Sequence, residues 1–294
     1  MISSLFSGIT ALKANTLAMG VIGDNIANVN TTAFKSSRAD FANLLNQSIG
    51  GFTGQEVGSG VRVSKLVPNW TQGSIGSTGR PTDLAINGTG MFVVKDSADN
   101  EYYTRAGAFH LDKEGYLVTH DGMNVQGCDT TNEADGAVST AAEMAAKIDL
   151  ASGRTDIQVN LEKFMHVGAD SDTTNASVVS VTVDSAGEVW ATYSGDTTAT
   201  TISKIALASV PSYSGMAKMD RNLYKATTNA GTVDYEFAGL GNRGSIGSNG
   251  LEMSNVDLAT EFGKMITTQR SFQAAAKVIT ASDEILQQLL NMKR

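Results

Sequence analysis

The two ends of this 294-residue chain carry apolar side chains at alternating spacings of four and three residues. A stripe with this period predicts a long helix that buries one face against a helical partner. At about 1.5 Å per residue, each helix would run roughly 40 Å, longer than most helices of a compact enzyme. The stripe positions are Leu5, Ile9, Leu12, Met19 and Ile26 in the first helix, and Leu258, Phe262, Met265, Phe272, Ala276, Ile279, Leu286 and Leu290 in the last.

The stripes predict a mixed α and β fold in which residues 1–34 and 251–294 pair as a coiled coil. The first helix is expected to end near Asn28, because the asparagines and threonines after it compete for backbone hydrogen bonds. A second short helix is predicted at residues 37–47. Ser254 or Asn255 is the expected N-cap of the last helix, with Asp257 in its first turn.

The sequence between the terminal helices predicts short strands separated by turn residues. We expect an extended connector at residues 35–79 and a mainly antiparallel β body at residues 80–250. Within the body, residues 129–175 are expected to form a small insertion with a short helix at 141–147. The predicted strands cover residues 61–67, 91–94, 102–105, 108–111, 116–119, 178–183, 188–193 and 202–208.

Charge is distributed unevenly along the chain, whose formal net charge is -8. Residues 1–34 contain only Lys13 and Asp24, and residues 251–294 contain equal numbers of acids and bases, so the excess negative charge lies in the middle. This pattern indicates buried terminal helices and a solvated body. Without a basic stripe, nucleic acid is not an expected partner.

The sequence predicts neither a membrane-spanning segment nor a secretory leader. No uninterrupted run of 18 apolar residues is present, so membrane insertion is not expected. The first residues lack a basic leader followed by an apolar stretch and a cleavage site. No cleaved signal peptide is therefore predicted, and any export would need another route.

No motif in the sequence indicates catalysis, a metal or a cofactor. The three histidines show no metal-binding spacing with one another or with Cys128. Gly88-Thr-Gly90 lacks the third glycine of a nucleotide-binding loop, and the acidic turn at Asp96 lacks the glycine and glutamate of a calcium loop. We therefore predict a protein that is not an enzyme. Cys128 could be a buried apolar residue, an ordinary surface residue or a reactive thiol.

Motifs at both ends resemble the bacterial flagellar rod and hook proteins. Asp24-Asn-Ile-Ala-Asn-Val-Asn-Thr-Thr-Ala-Phe-Lys35 is similar to their N-terminal signature, except that Asp24 replaces the usual asparagine and Ala33 the usual glycine. Alanine at 33 predicts a backbone that does not need a positive φ. Residues 251–258, 265–274 and 285–294 are similar to the other end of the family. The motif residues are Asn25, Ala27, Asn28, Thr31, Phe34, Lys35, Ser254, Asn255, Val256, Gln269 and Arg270.

The resemblance implies a structural subunit of a tubular helical polymer, with the helices lining its channel and the β body facing outward. Several elements, including Glu188-Val-Trp-Ala-Thr-Tyr193, look more like a hook protein, which passes motor torque to the filament as a flexible universal joint. The chain length leaves a distal rod subunit as the alternative.

The implied partners are other copies of the chain, the distal rod and hook-filament junction proteins, the hook cap during assembly and the flagellar type III export apparatus. The implied location is the hook of the flagellar basal body complex, outside the cell after export. A competing class, an adhesin or secreted enzyme with terminal helices, would need a pocket with convergent polar groups.

Overall fold

The computed structural model describes residues 2–44, 46–48, 56–129, 154–159, 178–193, 199–241 and 243–292. The chain forms two compact units. The helical unit contains Met1–Thr31, Lys35–Thr71 and Ser254–Arg294, and the β unit contains Thr32–Phe34 and Gln72–Met253. The domain boundaries predicted from the sequence stay predictions.

The helical unit is built from two long helices and two strand pairs. β1 pairs with β4, and β2 with β3, both antiparallel, so the chain makes an extended hairpin between the helices. The helix predicted at residues 37–47 is therefore wrong, because pairing of Phe41 with Val63 and of its neighbours across β4 overrides a weak local helical pattern. The elements are α1 Ile2–Ala27, β1 Ser37–Asn43, β2 Asn46–Ser48, β3 Glu56–Gly58, β4 Val61–Pro68 and α2 Leu258–Met292.

The β unit consists of short strands, and every pairing between its described strands is antiparallel. This confirms the prediction of two terminal helices with a mainly antiparallel β body between them. The strands are β5 Ile75–Ser77, β6 Leu84–Asn87, β7 Met91–Lys95, β8 Glu101–Thr104, β9 Phe109–Leu111, β10 Leu117–Thr119, β11 Asn124–Asp129, β12 Thr155–Asp156, β13 Val178–Val183, β14 Glu188–Tyr193, β15 Thr200–Ser209, β16 Met216–Lys218, β17 Leu223–Ala226, β18 Asp234–Phe237, β19 Ser245–Ser248 and β20 Gly250–Glu252.

Each predicted strand coincides with one of these elements, with its bounds shifted by two residues or fewer. The alternation of apolar and polar residues identified them because one face of most strands is buried. The predicted helix at residues 141–147 lies outside the described residues, as does most of the insertion predicted at 129–175.

The largest sheet follows the order β13-β14-β15-β11-β7-β8-β17-β16. β7 is its central strand: four successive residues, Met91 to Val94, are fully buried, as expected for a strand covered on both faces. The rings of Phe92 and Phe109 meet edge to face with centroids 5.1 Å apart. Phe92 and Phe109 belong to one apolar cluster that extends through most strands of the sheet.

A buried ion pair joins distant segments of the β unit. Arg105 Nη1 lies 3.1 Å from Glu252 Oε2, and both side chains are buried. Arg105 also donates to the carbonyl oxygen of Gly88, and Glu252 Oε1 accepts from the N–H of Gly73. Because each charge has several hydrogen-bond partners, the pair fixes geometry where an isolated buried charge would destabilise the fold.

A second polar cluster anchors the chain where it returns to the sheet after residue 129. The guanidinium of Arg154 lies 3.6 Å from the centroid of the Tyr235 ring and forms an ion pair with Glu101. The hydroxyls of Tyr103 and Tyr235 are 2.6 Å apart, and Tyr235 donates to Glu101. Burial raises the pKa of Tyr103 and of Tyr235, so both stay protonated at neutral pH.

Two backbone segments of the β unit approach each other closely at Gly107. A Cβ at this position would lie 1.8 Å from the carbonyl oxygen of Leu84, whose N–H donates to the carbonyl oxygen of Gly107. We expect Gly107→Ala to lower the free energy of unfolding by more than about 2 kcal/mol, because backbone on both sides must move. Urea unfolding followed by intrinsic fluorescence measures the change.

Gly247→Ala is the matched control, because its new Cβ would meet only the carbonyl oxygen of Ala85 at 3.8 Å. Its free energy of unfolding should stay within about 0.5 kcal/mol of the parent chain. Equal effects of the two substitutions would contradict the close approach at Gly107.

Candidate self-assembly surfaces on the helical unit

The two long helices pack against each other in antiparallel directions. The hydroxyls of Ser4 and Ser282 are 3.5 Å apart at one end, and Asn25 contacts Glu261 at the other. Between these contacts, a Cβ at Gly8 would lie 2.9 Å from Cγ1 of Ile279. The missing side chain at Gly8 therefore allows close approach of the helices.

The face of α1 that packs within the chain is made of small residues. It runs through Gly8, Ala14, Ala18, Ile22 and Asn25, which are buried. The predicted seam lies on an adjacent face, and all its residues, Leu5, Ile9, Leu12, Met19 and Ile26, are only half-buried. The larger apolar side chains of α1 thus remain partly accessible after the helix has packed.

On α2, alternating spacings of four and three residues mark the packed face. This face was only partly identified from the sequence, because Glu261, Thr268 and Ser282 interrupt its apolar pattern. Among the predicted seam residues, Met265, Phe272, Ala276 and Ile279 are half-buried, whereas Leu258, Phe262, Leu286 and Leu290 are exposed. The packed residues are Glu261, Met265, Thr268, Phe272, Ala275, Ile279 and Ser282.

Both helices carry large apolar side chains that are exposed. Ile266, with 58% of its surface accessible, and Phe262 lie on one part of α2. The remaining exposed positions are Phe6 and Leu17 on α1, and Leu258, Val278, Ile285, Leu286, Leu289, Leu290 and Met292 on α2. An exposed apolar surface of this extent is typical of an interaction site. Gln269 and Arg270 are also exposed.

The helix α1 is apolar over most of its length. Residues Ser4–Ala27 are long and apolar enough to cross a membrane by length and composition alone. A helix that packs against other helices meets the same criteria, and α1 does pack against α2.

A polar cluster with buried Asn25 and Glu261 at its centre joins α1, α2 and β1; we call it the Asn25 cluster and define it as Asn25, Ser37, Glu261 and Lys264. Asn25 Nδ2 donates to the carbonyl oxygen of Ser37 at 2.8 Å and to Glu261 Oε2 at 3.1 Å. Asn25 Oδ1 accepts from the N–H of Ser37 at 2.9 Å, and Lys264 donates to Glu261 Oε1 at 2.7 Å. One asparagine side chain therefore fixes β1 and α2 against α1.

Other motif residues form the end of α1. Asn28 Nδ2 donates to the carbonyl and carboxylate oxygens of Asp24, and Asn28 Oδ1 accepts from the Thr31 hydroxyl. The backbone N–H of Asn28 also donates to the carbonyl oxygen of Asp24, so the side chain adds to the last helical hydrogen bond. Ala27, the last residue of α1, is exposed. Asp24 thus supplies the acceptors that hold Asn28 in place.

Ala33 adopts a left-handed backbone conformation with φ of 56°. The prediction that alanine here avoids a positive φ is therefore wrong. Ala33 is buried, and its N–H donates to the carbonyl oxygen of Glu252 at 2.7 Å, so the β unit holds the strained conformation. The next motif residue, Phe34, is buried, with the Lys218 ammonium 4.5 Å from the centroid of its ring.

Asn255 joins three segments of the helical unit. Its Oδ1 accepts from the N–H of Ser36, and its Nδ2 donates to the carbonyl oxygens of Asn69 and Thr71. The buried ammonium of Lys35 also donates to the carbonyl oxygen of Thr71. Lys35 and Asn255 therefore hold together the segments that flank the strand hairpin and begin α2.

The N-cap of α2 is Asp257, which corrects the expectation that Ser254 or Asn255 caps this helix. Its carboxylate accepts from the N–H of Ala259 and from the Thr260 hydroxyl. Ser254 instead accepts from the N–H of Val256. The hydrogen bonds from Thr260 and Ala259 lower the pKa of Asp257. The cap therefore stabilises the fold above the ordinary aspartate pKa and is lost as the pH falls through the lowered value.

The described residues contain no group of three or more histidine, cysteine, aspartate or glutamate side chains arranged to hold a metal ion. Cys128 is half-buried beside Ala206 and Phe237. The helical unit does contain a cavity of about 190 Å³ lined by residues of α1, β1 and α2. Its lining combines five apolar residues with polar and charged side chains, and its size is suited to packing side chains.

Three family models match the chain. The Flagellar hook protein FlgE/F/G D1 domain matches residues 85–191, the Flagellar basal body rod FlgEFG protein C-terminal model matches 248–292, and the Flagella basal body rod protein model matches 5–35. A relative from Bacillus subtilis, the flagellar basal-body rod protein FlgG, is 36% identical over the full length of both chains. The chain belongs to the family of bacterial flagellar rod and hook proteins. This confirms the resemblance found in the terminal motifs.

Alignments to other members of the family also cover nearly the whole of both chains. The FlgG rod protein of Buchnera aphidicola from Acyrthosiphon pisum is 31% identical, with 98% of this chain and 99% of that protein aligned. The flagellar hook protein FlgE of Borreliella burgdorferi is 27% identical, with both chains fully covered. That alignment spans 443 positions, against 305 for the Bacillus FlgG, so the hook relative contains many residues that have no counterpart in this chain.

The Asn25 cluster predicts a large effect of one added charge. Asn25→Asp removes both donated hydrogen bonds and places a second carboxylate beside buried Glu261. We expect the free energy of unfolding to fall by about 3 kcal/mol or more, because a buried charge is left uncompensated. Urea unfolding followed by circular dichroism at 222 nm checks this. Asn30→Asp, at an exposed site, is the control and should change stability by less than about 0.5 kcal/mol.

The backbone at Ala33 predicts different outcomes for a smaller and a larger side chain. Ala33→Gly should change stability by less than about 1 kcal/mol, since relief of left-handed strain offsets the lost methyl group and the greater freedom of the unfolded chain. Ala33→Val should lower it by more than about 2 kcal/mol, because a β-branched residue is strained at positive φ and the site is buried. Thermal unfolding of both variants measures this, and equal losses would contradict the assignment of φ.

Proposed function

We propose that this chain is a structural subunit of the flagellar hook that self-assembles into a helical tube. The exposed apolar residues on both faces of the α1–α2 pair carry this proposal. A helix pair in isolation would leave them in water, whereas a polymer would bury them between copies. The contacts between copies would include the half-buried seam residues of α1. They would also include the four exposed seam residues of α2, which are Leu258, Phe262, Leu286 and Leu290.

We further propose that the α1–α2 pair forms a coiled coil within this tube. The alternating four- and three-residue spacing of the packed face of α2 supports this geometry. Polar residues at both ends of the pair, Asn25 with Glu261 and Ser4 with Ser282, would then fix its register. In the polymer, the outer faces of the same helices would contact neighbouring copies.

The hook assignment is supported by hook-like sequence elements and by alignments to hook proteins that reach both ends of the chain. A distal rod subunit is the second candidate. It is favoured by 36% identity to the Bacillus rod protein and by the near-equal length of the two chains. Both candidates use the chain as a passive element of the axis, and the hook would in addition bend while transmitting torque.

The proposal includes a location and a set of partners. Export through the flagellar type III apparatus would deliver the chain to the growing axis outside the cell. The hook cap would retain arriving subunits, and the distal rod and hook-filament junction proteins would contact the two ends of the tube. Neither a cofactor nor catalysis is part of this function.

Electron microscopy of flagella tests the proposal. Cells from which the gene for this chain is deleted are compared with the same cells complemented by the full-length gene. A complete rod without the curved segment, restored by the gene, is the result expected for a hook subunit. A rod that stops short would assign the chain to the distal rod. Normal flagella without the gene would overturn both assignments.

Phe262 provides a sharper test of assembly through the exposed helix faces. Phe262→Asp should abolish polymer formation, because it places a charge on an apolar contact surface, while the circular dichroism of the monomer stays unchanged. Ser271→Asp adds the same charge at an exposed polar site about half a turn around the helix from Phe262 and controls for charge alone. Pelleted polymer is the readout, and wild-type yields from Phe262→Asp would remove this face from assembly.

A further inference from the structure

The last ten described residues of α2 extend beyond its contact with α1. Ser282 is the last packed residue, and it lies opposite Ser4 near the start of α1. All residues from 283 to 292 are exposed. We call this segment, about 15 Å long, the α2 tail. Its apolar side chains are Ile285, Leu286, Leu289, Leu290 and Met292, of which Leu290 is 70% and Met292 83% exposed.

The apolar residues of the tail form one continuous ridge. Residues four positions apart on a helix are neighbours, so Ile285 aligns with Leu289, and Leu286 aligns with Leu290. Such a convex ridge is suited to a concave apolar surface, as in recognition of a helix by a groove. Accessibility along the ridge rises from 37% at Leu286 to 83% at Met292, so its far end is the least covered part.

A groove of matching character lies at the other end of the helix pair. It is the 190 Å³ cavity between α1, β1 and α2, and its apolar lining is Ala18, Val21, Ile22, Ala39 and Phe41. We call it the β1 groove. Phe41 is half exposed at its edge. The volume is below the roughly 300 Å³ of a small-molecule pocket and close to that of a cavity that holds one benzene ring. It is therefore suited to side chains inserted from a helix.

Exposed charges at the two surfaces are complementary. Arg38 and Lys264 line the β1 groove with side chains that are 72% and 51% exposed. Their acidic neighbours are less accessible: Asp40 pairs with Arg38, and Glu261 is almost fully buried beneath Lys264. The tail begins with Asp283 and Glu284, both exposed. Facing charges of this kind orient partners as they approach.

A tail cannot reach the β1 groove of its own chain. The contacts of Ser282 and Glu261 with α1 lie at opposite ends of the helix pair, about 30 Å apart along α2. We propose that the α2 tail of one copy docks in the β1 groove of a second copy. This inference rests on the proposed self-assembly and names its contact. The two surfaces differ, so a copy whose tail is docked in one neighbour can still accept the tail of another neighbour in its own groove. Repetition of this contact generates an open helical polymer.

Paired cysteines test the docking in polymers isolated from cells that produce the full-length chain. In a Cys128→Ala background, Val21→Cys and Leu289→Cys place one thiol in the groove and one on the tail. Mild oxidation should give a ladder of dimers, trimers and longer products. The yield should exceed by about tenfold that of Lys277→Cys with Leu289→Cys, because docking gives the first pair a high effective concentration. Phe41→Cys replaces Val21→Cys if the latter fails to fold.

The controls separate this inference from the proposed function. Single-cysteine chains, one with Val21→Cys and one with Leu289→Cys, should give dimers only when they assemble together. Polymers that form normally but show no more crosslinking for the groove pairs than for the Lys277 pair would overturn the docking and leave self-assembly intact. If the wild-type chain forms no polymer in complemented cells, the proposed function fails and the docking with it.

A charge on the ridge provides an independent readout. Leu289→Asp should reduce pelleted polymer at least about tenfold, whereas Gln288→Asp, which adds the same charge one residue away, should have little effect. Circular dichroism of both monomers verifies that the helices are retained. Equal polymer yields from the two variants would count against the ridge as a contact.

Discussion

The hydrogen bonds of Asn25 organise the helical unit. This side chain uses both its oxygen and its nitrogen on the backbone of Ser37 and still contacts Glu261, so β1 and α2 are positioned by the same group. A buried amide must satisfy these bonds or lose the stability they supply, and only one register of the helices does so. The apolar contacts of the pair would allow sliding, whereas the polar contacts define one position.

The distribution of residue size on α1 explains how one helix serves two kinds of contact. Glycine and alanine occupy most of the face toward α2, where a larger side chain at Gly8 would meet Ile279. Apart from Ile22, the larger apolar side chains lie on other faces, where they remain at least partly accessible. Close packing inside the chain therefore uses little of the apolar surface that the helix carries. The rest is left for other copies of the protein.

The sequence allowed prediction of both long helices and of eight of the twenty described strands, because a buried face imposes its period on the residues. It located only part of the packed face of α2, because Glu261 and Ser282 occupy buried positions that an apolar pattern excludes. The local pattern also predicted a helix at residues 37–47, since pairing with β4 depends on residues 18 to 31 positions away. At Ala33, residue type suggested an ordinary backbone, but contact with Glu252 holds a strained one.

The Asn25 to Glu261 contact joins residues separated by 236 positions in the chain. Closing so long a loop is entropically unfavourable, and contacts of high sequence separation form late in folding. The β unit contains many hairpins between neighbouring segments and needs no part of α2. We therefore expect folding to proceed from the middle of the chain outward. The two ends would then meet last, and a subunit would complete its helical unit only after all of its residues had become available.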